Sequence, residues 1–440
     1  MSPSTAATPT SERLHALDAL RGGALLLGIV LHAAMSFVPA TPRFWFIQDT
    51  HPSLLLGLLT FTIHVFGMTA FFPMAGFFAR MSFHRGGVGA LSGTGCSEIG
   101  LPLVIGWPIV FTPMALVVIW APAFPMAVRT PGARGWPPVL PNFPLAHLWF
   151  LYVLLELYVA MLLLRGAIVR LDAPARCEGS SAASSQGSCE IHWLRWILAI
   201  PIGIAFCLDQ RWINVMGVRT PDQSLITNAQ AWIGFGTASA SAGCCIGQVD
   251  LLRLLERRWL PQLLLAVGLI LISFVLSGVM LSAPGAPKLP VTFATLRLVS
   301  ATLYAPAIWI STFAVLGLAV RFMSGFSPTW RYLADASYWL YLIHMPIVMA
   351  LQVAVSQLDW SAPIKFAIIL AVALPPMLAS YHLLVRFTFI GVVLNGRRAP
   401  REAAHVVAVE APPRNNAGCV EGTVLRTAEL LLRRQRRPAH

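Results

Sequence analysis

Ten stretches of this chain, approximately 17–39, 54–79, 100–121, 147–164, 193–208, 228–247, 261–281, 299–320, 337–357 and 364–387, are apolar over lengths close to that of a bilayer-crossing helix. The hydrocarbon layer requires roughly 20 such residues per helix, and inside it only helices and closed barrels pair every backbone group. The chain therefore reads as an all-α, polytopic transmembrane bundle of about ten spans. Composition agrees: 57% of residues are hydrophobic and 11% charged, where a soluble domain carries about 25% charged residues. The fifth stretch is short. The sixth is rich in Gly, Ala and Ser between 234 and 247, a composition suited to close helix packing.

The net charge of +13 lies largely between the apolar stretches and in a tail. It is assigned to topology and to attraction for anionic membrane lipids, and no nucleic-acid partner is expected. Arg80 and Arg85, then Arg165, Arg170 and Arg176, then Arg253, Arg257 and Arg258, then Arg321 and Arg331, and the tail from Arg397 fall on one side. The opposite loops carry fewer basic residues, with Lys365 at the edge of the last span. Both termini are thus expected in the cytoplasm.

Residues 1–16 read as a cytoplasmic N-terminal segment without a cleavage signal, making the first span an uncleaved anchor. Residues 17–387 read as the transmembrane domain, with a Ser- and Gly-rich flexible linker at 173–190. Residues 388–440 read as a basic cytoplasmic tail. The seven cysteines show no C-x-x-C pair and no metal-ligand spacing, so neither a metal nor a disulfide framework is expected. No P-loop or dinucleotide fingerprint occurs, and no bound cofactor is expected.

Ionisable groups inside an apolar span are costly and tend to mark function. The first span holds Asp18, Arg21 and His32. At about 100° per residue, Arg21 and His32 lie about 20° apart on the helix and Asp18 about 60° from Arg21. One face therefore carries all three. The rise separates Arg21 from His32 by roughly 16 Å, about half the hydrocarbon thickness. Other spans add His64, His147, Glu156, His344 and His382. Taken singly, each is as well explained as a hydrogen-bonded packing group. Pro346, two residues after His344, removes a backbone donor and frees a carbonyl near Leu342.

His, Glu, Asp and Arg on several spans suit acid–base chemistry: a histidine abstracts a hydroxyl proton near neutral pH, and an arginine holds a phosphate or a developing anion. Acyl transfer and phosphoryl transfer both fit, as does a proton-coupled transporter; the rival readings are a non-catalytic membrane carrier or export partner for a glycan that uses the same polar path, and a purely structural subunit, which has no need for Arg21 and His32 on one face.

Four stretches in order resemble the acyltransferase-3 family of bacterial inner-membrane O-acyltransferases. They are Leu17-Asp-Ala-Leu-Arg21 with ten residues between Arg21 and His32, Phe71-Phe-Pro-Met-Ala-Gly-Phe-Phe78, His147-Leu-Trp-Phe-Leu151, and Ser337-Tyr-Trp-Leu-Tyr-Leu-Ile-His344-Met-Pro346. The resemblance spans roughly residues 14–398, and its flavour is that of the glucan-biosynthesis protein C type. It implies transfer of an acetyl or succinyl group from cytoplasmic acyl-CoA to a hydroxyl of a periplasmic or envelope glycan, alongside envelope-glycan biosynthesis proteins. Arg21 and His32 match the family's functional pair, and Glu156 joins them as a catalytic candidate that orients or tunes a partner. His64, His147, Trp149, Tyr341 and His344 are candidate substrate-binding residues, and Asp18 is assigned a structural or Arg21-pairing role. The chain departs from the family pattern at Gly67 and Ala75, and its 93–102 segment has no Arg or Lys where the family carries a basic run. These departures bear on how CoA phosphates are held.

Overall fold

The structure, a computed structural model, describes residues 9–39, 45–121, 128–129, 143–171, 187–210, 212–245, 249–281, 287 and 290–395. Among the described residues, twelve α-helices occur in this order: α1 (Pro9–Ala34), α2 (Leu54–Thr94), α3 (Leu101–Trp120), α4 (Trp149–Leu171), α5 (Gly187–Leu208), α6 (Ala229–Cys245), α7 (Val249–Arg257), α8 (Trp259–Met280), α9 (Phe293–Phe322), α10 (Pro328–Ser356), α11 (Ala362–Ser380) and α12 (Phe389–Asn395). Two short strands, β1 (Ile47–Gln48) and β2 (Val128–Arg129), pair antiparallel. The all-α polytopic bundle read from the sequence is what the chain forms.

Eight helical segments among the described residues are long and apolar enough to cross a membrane, against the ten stretches expected. The difference lies in the fifth and sixth: the apolar part of α5, Arg195–Leu208, and the 17 residues of α6 fall short. The third span is longer than expected. Its helix begins directly after a break at Gly86–Gly87 and runs through a π-helical turn, Gly95–Gly100, into α3. Gly87 sits at φ 65°, ψ −153°, a backbone conformation that only glycine adopts without strain. The break separates the second span from the third.

At the N-terminus, α1 already begins at Pro9, inside the segment read as an N-terminal extension. The expected 173–190 linker falls outside the described residues up to 186, and α5 starts at Gly187. In the tail, α12 is described and 396–440 lie outside the described residues. The arginine-bearing loop before α8 folds as α7, with Leu252 and Leu255 buried. Its Leu255 carbonyl seats against α9 at Gly317, where a Cβ would come within 2.5 Å of the oxygen.

Helices α9 and α10 form the buried centre, whereas α3, α8 and α11 turn residues such as Ile109, Leu264 and Ile364 outward. The outward apolar surface suits a lipid environment. Helix α1 lies inside the bundle against α10, and the approach is close: a Cβ on Gly22 would meet the Ala334 Cα at 3.0 Å. This contact brings the N-terminal polar stripe beside the helix that carries His344.

Candidate active site

The site begins where α1 ends. Last-turn carbonyls of a helix have no intrahelical donor, and Gln352 of α10 supplies one from outside: its Nε2 donates to the His32 carbonyl at 2.8 Å and the Ala33 carbonyl at 3.4 Å. The Gln352 Oε1 accepts from Trp45 Nε1 at 3.0 Å. The Trp45 indole stacks on the His32 ring, with 5.6 Å between centroids and 18° between planes. One glutamine thus fixes the backbone of His32 and the side chain lying on its ring.

The protonation pattern of the histidines follows from their partners. His344 Nδ1 lies 2.7 Å from the Tyr341 carbonyl. A carbonyl only accepts, so neutral His344 carries its proton on Nδ1 and presents Nε2 as a bare acceptor. That Nε2 is 2.9 Å from His32 Nδ1, so His32 Nδ1 donates. Neutral His32 is left with its lone pair on Nε2, the tautomer of a general base.

A third imidazole completes the cluster. His147 Nε2 donates to the Leu342 carbonyl at 3.2 Å, the carbonyl that Pro346 deprives of its helical donor. The His147 ring centroid is 4.9 Å from that of His344, and its Nδ1 is buried without a hydrogen-bond partner. This bare ring nitrogen is an acceptor open to a further donor, a state it shares with ten other buried side-chain atoms among the described residues. The preceding residue, Ala146, adopts φ 50°, a left-handed conformation that costs a non-glycine residue on the order of 1 kcal/mol. Its amide donates to the Asp222 carbonyl at 2.9 Å in the α5–α6 connection.

At the other end of α1, Arg21 lies 3.5 Å from Asp18 and over the Phe78 ring at 5.6 Å. Asp18 makes a shorter pair, 3.0 Å, with Arg331 of α10, which also lies 3.4 Å from Asp335. Asp18 therefore has two guanidinium partners, where the sequence suggested one. All these side chains keep part of their surface accessible.

Arg21, Gly28 and His32 share one face of α1 and are each partly buried, with Leu25 buried between them, and Gly23, Leu26, Leu27 and Val30 are partly buried on other faces. A Cβ built on Gly28 meets nothing within 4 Å. Gly28 lies one turn, about 6 Å, before His32 along the helix.

The structure gathers His32, His147, Tyr341 and His344 into one cluster, with His64 of α2 close enough to interact electrostatically with His32. His64 itself bonds the Thr60 carbonyl through Nδ1 at 3.1 Å. The Tyr341 hydroxyl donates to the His147 carbonyl at 2.7 Å, so it serves the scaffold. Trp149 stacks on Phe235 of α6 at 5.4 Å and packs away from the histidines. Glu156 accepts from Thr227 at 2.7 Å. It sits nine residues beyond His147, roughly 13 Å along a helix. His382 is exposed and approaches Arg386. Lys365, expected as a loop charge, is instead fully buried against Asp49.

Trp45, Gln352, Gly28 and Ala146 escaped sequence reasoning. A tryptophan between spans, a glutamine in a helix and a glycine in an apolar run carry no pattern of their own. Only the packing of α1 on α10 gives them meaning.

The acyltransferase-3 family, described as an acyltransferase domain, matches residues 14–382. Glucans biosynthesis protein C of Shigella dysenteriae serotype 1 (strain Sd197) is 28% identical over 152 residues, covering 33% of this chain and 37% of that protein. The proteins of the same name from Escherichia coli O1:K1 / APEC and Escherichia coli O157:H7 (strain EC4115 / EHEC) match with the same identity and coverage. The chain thus aligns with little more than a third of the length of these curated relatives. No solved structure matches it.

Proposed function

Because this chain belongs to the acyltransferase-3 family and is a multi-pass membrane acyltransferase, we propose that it moves an acetyl or succinyl group from cytoplasmic acyl-CoA to a hydroxyl of a periplasmic or envelope glycan, in the bacterial inner membrane. The relatives' printed name, glucans biosynthesis protein C, supports a glycan acceptor and a setting among envelope-glycan biosynthesis proteins. The arginine distribution supports a cytoplasmic position for Arg21 and both termini.

One observation carries the reading: a guanidinium and a free-base imidazole, both partly buried, share one face of α1, with open space at Gly28 between them. Arg21 holds the anionic part of the donor, helped by Arg331 once Asp18 yields it. The acyl end lies along the Gly28 face toward His32. There the His32 Nε2 lone pair takes the proton of the acceptor hydroxyl as its oxygen forms the new bond to the acyl carbon. The carbon–sulfur bond breaks, and the proton passes to the departing thiolate, giving the ester and free CoA. His344 keeps His32 in the required tautomer and steadies the imidazolium through its Nε2, the part that a hydrogen-bonded orienting group plays beside a catalytic histidine. Trp45 fixes the plane of the ring.

The test uses purified protein with acetyl-CoA and succinyl-CoA, measuring thiol release, together with mass spectrometry of envelope glycans from cells with and without the protein. His32→Ala abolishes turnover and the acyl mass on the glycan while the protein still inserts. Equal turnover in His32→Ala refutes the assignment of the base.

A further inference from the structure

The loop that carries Trp45 to His32 is held by a charge pair that no role above requires. Residues 45–53 cross from β1 to the start of α2 as a strap over the end of α1. Their backbone is tied at two points, Asp49 N to the Ser36 carbonyl at 3.0 Å and Ser53 N to the Phe37 carbonyl at 2.8 Å. The Asp49 carboxylate turns inward, with its side chain 1% exposed, and accepts from Lys365 Nζ at 2.9 and 2.8 Å on its two oxygens. The Lys365 side chain, on the first turn of α11, is 0% exposed. His51 adds its backbone N–H to the same carboxylate at 2.9 Å, and its ring lies 3.1 Å from Asp359.

We infer that Lys365 and Asp49 form a clasp that seats Trp45 on the His32 ring, so that both are positioning residues for the base. The inference rests on His32 acting in catalysis. A buried ion pair is a poor source of net stability, since desolvation of two charges offsets most of their attraction, and an apolar pair of similar size serves as well or better. Its geometry is specific, however: both carboxylate oxygens and the backbone behind them are used, so the strap has one seating. Three residues lie between Trp45 and Asp49, and two of them form the β1–β2 ladder. A shift at the clasp is therefore transmitted through an ordered backbone to the indole. At its other end the indole N–H is tethered to Gln352.

The test labels histidines with diethyl pyrocarbonate in the detergent-solubilised full chain and reads each site by peptide mass spectrometry, with exposed His382 as the internal reference. Asp49→Asn combined with Lys365→Met removes both charges and keeps the volume. In that protein, the His32 labelling rate relative to His382 rises about tenfold, as it does in Trp45→Ala, and combining all three changes gives no further rise, because both routes free the same ring. Turnover of acetyl-CoA falls on the order of a hundredfold in kcat with KM unchanged, while the unfolding midpoint stays near that of the parent. Should the double variant not accumulate as folded protein, Lys365→Arg keeps the charge, forces a longer arm into the buried space and raises His32 labelling in the same way. Unchanged His32 labelling in whichever of these proteins folds, with Trp45→Ala raising it, overturns the clasp and leaves the base assignment standing. Thiol release retained by His32→Ala overturns the base assignment independently of any labelling result.

Discussion

The clearest perturbation of the donor path is at Gly28, because the structure separates its effects on stability and on turnover. A methyl added there meets nothing within 4 Å, so Gly28→Ala loses no packing. It also removes the backbone freedom of a mid-helix glycine, a gain of about 0.5–1 kcal/mol. Gly28→Leu places a four-carbon side chain on the stripe about 6 Å before His32. On the proposed path, a thioester arm running from Arg21 then moves aside by at least the width of a methyl group. A misplacement of about 1 Å at the reacting centre costs on the order of a hundredfold in rate. The expected pattern has opposite signs. In purified protein, kcat/KM for thiol release from acetyl-CoA falls about a hundredfold in Gly28→Leu and far less in Gly28→Ala, while the unfolding midpoint is equal to or above the parent's in both. Undiminished turnover in Gly28→Leu refutes the path. So does a collapse of the midpoint, because the space taken as a passage is then occupied by packing.

Three further outcomes are expected. His344→Ala leaves His32 free to take either tautomer and lowers kcat about a hundredfold with KM for the donor unchanged, and His344→Gln, which keeps an acceptor, recovers part of the loss; steady-state kinetics checks both. Gln352→Leu strands the Trp45 N–H and the Ala33 and His32 carbonyls, lowering stability by about 3 kcal/mol in chemical denaturation at the usual 1–3 kcal/mol per buried unpaired group. Gly76→Ala brings a Cβ to 2.3 Å from the Ser239 carbonyl oxygen, so α2 and α6 must part, at a cost of about 1–3 kcal/mol read as a lower unfolding midpoint.

Much of this arrangement is legible in the amino-acid order because a bilayer leaves few alternatives. Apolar runs of the right length become helices, and an arginine and a histidine eleven residues apart share a face by helix geometry alone. Pro346 likewise foretold a free carbonyl near Leu342, and His147 takes it up. What stayed hidden depends on contacts between distant segments. His344 reads as one more histidine in a span until α10 lies on α1 at Gly22 and Ala334. Lys365 reads as a loop charge because hydropathy does not reveal that Asp49, 316 positions away, points at it. Glu156 reads as a catalytic candidate because it is an ionisable group inside an apolar span, but that leaves open which neighbour its side chain faces. Its neighbour is Thr227.

The two ends of α1 are fastened by ion pairs of unlike strength, and this orders the motions that catalysis needs. At the Arg21 end, Asp18 and Arg331 keep 20% and 32% of their side-chain surface accessible. Pairs of that kind are worth about 0–1 kcal/mol each, so an incoming phosphate displaces Asp18 at small cost. At the His32 end, the Lys365–Asp49 pair is 0% and 1% exposed, and separating such a pair costs about 3–5 kcal/mol. In the proposed reaction the Arg21 end therefore yields first, while the histidine end stays set. That asymmetry favours a base held ready in one geometry over a site that assembles only when both substrates are present.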